Sequence, residues 1–219
     1  MALLAAVLVF APKLLDVAAG PDAGLRSALA QGEHAGLAVA IPGTSAALLS
    51  RRLHYDRITT HVDADDEEAF ALSTLDFEGM LGSVHVSSLG VERIPFERYG
   101  TQWRPRSSLA PRLAGVVAAL EARRQAVESG DGEKLVVLAA SPEAGRAAQD
   151  KLLRRAASAP LLLHHICAWY IRLERNRALV TEEYRIGEAS AERPPKEKGT
   201  TRLTLERQGS QFLFSGSLL

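Results

Sequence analysis

The chain has a single cysteine, Cys167, in 219 residues, so it can close no disulfide within itself and can assemble no cysteine-based zinc site. Its charges cancel, with 26 basic against 26 acidic side chains. That balance argues against a dedicated nucleic-acid binder, which needs a basic surface to neutralise phosphates. No apolar run approaches the roughly 20 residues of a membrane-spanning helix. There is no glycine-rich phosphate loop, no serine elbow between strand and helix, and no zinc-protease histidine pair, so nothing calls for a metal or a cofactor. What remains is an ordinary globular composition, 47% apolar and 24% charged, in a chain long enough to bury a core without covalent staples.

The N-terminus carries the longest apolar run. Residues 2–10 read ALLAAVLVF, followed by Pro12 and Lys13. The run is too short to span a bilayer and lacks the positive lead-in of a signal peptide. One reading makes residues 1–9 the end of a trimmed signal or anchor helix, giving a membrane tether. The other makes them an extension of the first helix into an apolar groove. The balance tips towards the cell envelope, periplasmic or tethered, over the cytoplasm.

The chain is self-similar. Residues 91–110, VERIPFERYGTQWRPRSSLA, align with residues 200–219, TTRLTLERQGSQFLFSGSLL, and seven of the twenty positions are identical, Gly100 with Gly209 among them. Unrelated segments would share roughly one or two. FAPKLLDVAA at 10–19 aligns in the same order with LAPRLAGVVA at 109–118, placing Pro12 on Pro111. The chain therefore divides into repeat 1, residues 10–109, and repeat 2, residues 110–219, with no linker between them. Repeat 1 has 9 basic and 13 acidic side chains and repeat 2 has 17 and 13, so the two carry opposite net charge, which favours their association.

In repeat 2, Pro111 suits the first turn of a helix whose Leu113, Val116, Val117 and Leu120 fall at helical spacing and which stops at Gly130. A short helix over 133–140 and a third over 144–157 follow. Leu152, Leu153, Arg154 and Arg155 of the third echo Leu48, Leu49, Arg51 and Arg52, so the paired arginines make basic spots in equivalent places. From Leu161 onward, β-branched and aromatic runs predict four strands over 161–171, 178–186, 201–207 and 211–215. Gly209 and its counterpart Gly100 each predict a hairpin turn. The acidic run from Asp63 to Glu68 falls between two expected strands of repeat 1 and lacks the spacing of a calcium loop.

These patterns resemble a known superfamily. ALEARRQAVESGDGEKLVVLAA at 119–140, ALVTEEYRI at 178–186 and RLTLERQGSQFLFSG at 202–216 look like nuclear-transport-factor-2-like proteins, including SnoaL-like and ketosteroid-isomerase-like members. The resemblance implies an α+β fold: two tandem cone-like repeats, each with helices followed by a curved antiparallel sheet of about four strands. Because members of the superfamily pair sheet against sheet, it further implies that the repeats pack as a pseudo-dimer within a monomer. No catalytic fingerprint accompanies it, and fold transfers further than function.

On a strand over 161–171, alternation puts His164 and His165 on opposite faces, so the two cannot chelate one ion together. His165, Cys167, Trp169 and Ile171 then share a face, as do Glu182, Tyr184 and Ile186 on the next strand. Turning these faces inward gives a candidate pocket of His165, Trp169, Glu182 and Tyr184, with no residue assigned as catalytic. Repeat 1 offers no matching set around Arg57, Thr59, His61 and Thr74. The leading expectation is a non-catalytic, bacterial-type binding module for a small apolar ligand or a protein partner. The alternative is an isomerase, cyclase or dehydratase with its active pocket in repeat 2, which requires His165 or Glu182 inside a cavity with Tyr184. A third, purely structural role rests on Phe212, Phe214 and Leu218, which read as exposed apolar residues at the end of the chain.

Overall fold

The computed structural model describes residues 21–34, 38–63, 68–106, 110–158, 162–188 and 195–219. The apolar segment 1–9, the expected helix start at Pro12 and residues 64–67 of the acidic run lie outside them. The elements run α1 (Pro21–His34), β1 (Ala38–Ala40), β2 (Ala47–Val62), β3 (Glu68–Leu81), β4 (Val84–Tyr99), β5 (Gln102–Pro105), α2 (Pro111–Ser129), α3 (Gly132–Leu138), α4 (Pro142–Ser158), β6 (Leu162–Leu173), β7 (Arg177–Glu188), β8 (Glu197–Gln208) and β9 (Gln211–Phe214). The strands form one strongly curled mixed sheet in the order β1-β2-β3-β4-β6-β7-β8-β9, with β5 paired to β4.

The expected meeting of two sheets face to face is not what the backbone does. The strands of the two halves join edge to edge, because β4 and β6 pair in parallel from His85 opposite Ala168 to Gly90 opposite Leu173. The cause is the edge of β4. The short strand β5 covers only Phe96–Tyr99, which leaves the peptide groups of the first half of β4 in need of a partner, and β6 supplies it. Gly90 makes the seam tight, since a Cβ there would lie 2.2 Å from the Leu173 Cβ.

Two further expectations are corrected. Residues 48–52 belong to β2, whose register with β3 runs from Leu49 opposite Met80 to Val62 opposite Ala69. The β-branched Ile58, Thr59, Thr60 and Val62 favour this extended state. Arg51 and Arg52 therefore sit on a strand, Arg52 paired with Asp76, and have no equivalence to Arg154 and Arg155 of α4. Phe212, Phe214 and Leu218 are buried at 6%, 0% and 1% exposure, so the chain ends by closing the core and offers no apolar docking face there.

The core lies in the curl of the sheet. β3 alternates without a break, with Ala69, Ala71, Ser73, Leu75, Phe77 and Leu81 inward. Helix α2 packs on β4, β6 and β9 and buries Leu113, Val116, Val117 and Leu120, but also Glu121 and Arg123. Its first turn has no side-chain cap of its own; instead Glu92 of β4 accepts the Leu113 N–H at 3.0 Å. Gly130 at φ 72° ends the helix, and Asp131 accepts the Lys134 N–H at 3.2 Å to start α3.

The hairpins β4–β5 and β8–β9 are built alike. Tyr99 pairs with Gln102 and Phe96 with Pro105; 109 positions on, Gln208 pairs with Gln211 and Leu205 with Phe214. Gly100 and Gly209 turn at φ 63° and 61°, as their spacing predicts. Arg98 Nε donates to the Gly100 carbonyl at 3.3 Å and Arg207 Nε to the Gly209 carbonyl at 3.1 Å. The same 109-residue offset holds between Ala69 opposite Phe96 and Ala178 opposite Leu205.

Candidate ligand pocket

The site is decided by one extra residue in β6. Ile166 pairs with Tyr184 and Ala168 with Glu183, so Cys167 is a bulge with no partner on β7. The bulge switches the inward face from His164 and Ile166 before it to Trp169, Ile171 and Leu173 after it. Directly opposed residues share a face, which groups Trp169 with Glu182, Ile166 with Tyr184 and His164 with Ile186. His165 falls on the face of Arg185, its side chain 56% exposed and its Nδ1 3.7 Å from the Glu128 carboxylate. Unbroken alternation had placed His165 beside Trp169; the bulge puts His164 there in its stead.

Three of the four sequence-predicted pocket residues are thus brought to one face, and two of them touch. The Trp169 indole donates through Nε1 to Glu182 Oε2 at 2.9 Å. Arg123 Nη1 donates to the same oxygen at 2.7 Å, and Arg123 Nε donates to the Leu218 carbonyl at 2.5 Å. Arg123 also stands over the Phe214 ring, 6.0 Å from its centroid. The Glu182 carboxylate is therefore held in a buried ion pair beneath the pocket and does not line it.

Above this pair opens a cavity of about 500 Å³ walled by α4, β6, β7 and β8. Lys151, Arg154 and Arg155 reach it from α4, His164 and Tyr184 from the sheet, and Arg123 from α2. Arg155 Nη1 lies 2.8 Å from His164 Nδ1. A guanidinium only donates, so Nδ1 is the acceptor and Nε2 carries the proton of a neutral imidazole. Burial first, and the Arg155 and Arg123 charges after it, hold this imidazole down at about 4. The Tyr184 ring packs 4.8 Å from that of His164, and its hydroxyl donates to Glu197 at 3.0 Å. That hydrogen bond, with burial, pushes the phenol above its usual range.

The corresponding sheet positions of the first half hold no such set. Ser73 precedes Glu182 by 109 positions and spends its hydroxyl on the Asp56 carbonyl at 2.8 Å. Leu75 pairs with Tyr55 as Tyr184 pairs with Ile166, and Leu53 pairs with Phe77 as His164 pairs with Ile186. Leu53, Leu75 and Phe77 are all buried, so the counterparts of the pocket positions belong to the apolar core.

Arg123 and His164 were missed in the sequence for different reasons. Arg123 follows Val116 by seven residues and Leu120 by three, squarely on the apolar stripe of its helix, and a charge on such a stripe signals a buried partner. His164 escapes a reading by unbroken alternation, which puts it on the face opposite Trp169 until the bulge at Cys167 is known. Among the described residues no group of three or more histidine, cysteine, aspartate or glutamate side chains could hold a metal ion, and no helix is long and apolar enough to cross a membrane.

No protein-family model matches the chain, and no curated protein sequence matches it significantly. The solved structures similar to it include the following two. One is Bd1075 of Bdellovibrio bacteriovorus, at 12% identity and a TM-score of 0.40, over 76% of this chain and 97% of that one. The other is an NTF2-like protein involved in plasmid conjugation, at 8% identity and a TM-score of 0.34, over 78% of this chain and 77% of that one. At such scores neither neighbour lends the chain a family or an activity.

Proposed function

We propose that the chain is a duplicated cone-like module, residues 10–109 and 110–219, in which the second unit keeps a pocket for a small ligand and the first is packed shut. The duplication is supported by the shared hairpin registers 109 positions apart and by the order of elements, with α1 on β2 and β5 as α2 is on β6 and β9. The observation that carries a binding role over a catalytic one is the commitment of Glu182. Its carboxylate is neutralised by Arg123 and bonded by Trp169 beneath the pocket, where a structural ion pair is needed and a proton-transfer group would be out of reach. A protein partner is the other occupant that the sequence reading allows, but a concave cavity of about 500 Å³ fits a small molecule.

The test is a thermal-shift screen of small apolar and amphipathic compounds against the wild-type chain and Ser158→Trp, which fills the pocket from the exposed end of α4. Ligands are expected to raise the wild-type melting temperature by a few degrees or more and to leave the filled variant unmoved. Equal shifts in both proteins would place binding elsewhere. Chemical conversion of a bound compound, read by mass spectrometry, would overturn the non-catalytic reading.

A further inference from the structure

We infer that the pocket of the second unit recognises the anionic group of its ligand, a carboxylate or a phosphate on a small organic molecule. This rests on the reading of that cavity as a ligand site and narrows what enters it. The first observation is charge. Lys151 and Arg154 lie three residues apart on α4, with Arg155 next to them, and all three line the cavity. Among the described residues neither Arg154 nor Arg155 pairs with a carboxylate side chain; Arg155 donates to His164, while Lys151 is already engaged by the main-chain oxygen of Leu219 at the rim. Glu197 also lines the cavity, and accepting from Tyr184 does not cancel its charge, so the cations outnumber the acidic side chains there. Glu182 offsets one cation, Arg123, from below.

The second observation is independent of surface charge. Arg123 is wholly buried, yet its Nη2 has no hydrogen-bond partner. The His164 Nε2–H, left as a donor once Nδ1 accepts from Arg155, is buried and equally unpartnered. Glu182 Oε1 is a buried acceptor that is likewise unpartnered, but the two donors without acceptors both belong to residues that line one cavity ringed by cations, where an oxyanion would complete them. Paired arginines on a helix surface by themselves would merely face solvent; here the floor beneath them is built for the same charge. Tyr184 and the His164 ring give the ligand's uncharged part a flat wall to lie against.

Calorimetric titration of the full chain at low ionic strength with benzoate, phenyl phosphate and the neutral benzyl alcohol tests this. At least one anion is expected to bind about tenfold or more tighter than the alcohol, and to weaken as salt is raised. Lys151→Ala with Arg154→Ala, both at exposed positions, should weaken that anion about tenfold and the alcohol far less, with the folded state checked by circular dichroism. The two anions separate carboxylate from phosphate recognition. Alcohol binding as tight as either anion, or anion binding indifferent to the double variant, overturns the anionic assignment while the pocket remains a ligand site. Absence of binding by all three probes, together with no ligand lost on filling the pocket with Ser158→Trp, overturns both.

Discussion

Arg123 and Glu182 meet at 2.7 Å between α2 and β7 with 1% and 0% of their side chains exposed, so each charge has the other as its principal compensation. Removing one partner strands the other in the interior. Arg123→Met and Glu182→Leu are each expected to cost about 3–5 kcal/mol, whereas the double variant, which leaves no orphaned charge, should cost clearly less than the two singles together. Urea unfolding of the four proteins measures this. Strict additivity would show that the two residues do not act as a pair.

Glu92 predicts a pH dependence. Burial, opposed by the Arg112 charge and the backbone N–H groups of Leu113 and Arg112, pushes its carboxyl up from 4.5 to about 7. The folded state therefore holds a proton that the unfolded chain releases between these values. Stability from this group is full below about pH 4.5 and is lost as pH rises through about 7, by about 3 kcal/mol in all. Glu92→Gln keeps an acceptor for the Leu113 N–H and should match the wild type in acid but exceed it at pH 8. A wild-type advantage at pH 8 would mean that the ionised carboxylate stabilises the start of α2.

His164 has the opposite sign. Its imidazole is lowered from 6.5 to about 4, so the unfolded chain takes up the proton first. Stability from keeping His164 neutral is complete above about pH 6.5 and is lost as pH falls towards 4. Arg155→Gln removes one of the charges that lower it and should move the His164 ring resonances to a higher midpoint in an NMR titration. An unmoved midpoint would show that Arg155 does not reach the imidazole as a charge.

Much of the structure of residues 110–219, and the turn at Gly100, was legible in the sequence. The helix starting at Pro111, its stop at Gly130, the four strands and both glycine hairpins follow from local periodicity and turn chemistry, which depend on near neighbours. The face of His165 did not follow, because one extra residue inverts every assignment on one side of it. Nothing in the sequence marks the bulge, because residues 166–171 are apolar throughout and give no alternation to fall out of phase. The parallel seam was beyond local reading, since it depends on which part of the β4 edge β5 leaves uncovered. The echo between residues 48–52 and 152–155 misled because a shared Leu-Leu followed by two arginines carries no period of its own.

That seam yields the remaining prediction. Gly90 faces Leu173 so closely that a Cβ would meet the Leu173 Cβ at 2.2 Å and its carbonyl oxygen at 2.5 Å, contacts that only a shift of β6 away from β4 could relieve. Leu173 is itself buried in the core, and the shift would open the sheet where its two halves join. Gly90→Val is therefore expected to cost several kcal/mol, beyond the usual range of about 1–3 kcal/mol for an overpacked side chain, because backbone pairing is lost as well. Ala at the same position should cost less but remain clearly destabilising. Both are read from the urea midpoint, with hydrogen exchange at β6 as the local probe. A Gly90→Val protein with the wild-type midpoint and protected β6 amides would mean that β4 and β6 do not pair in solution as described.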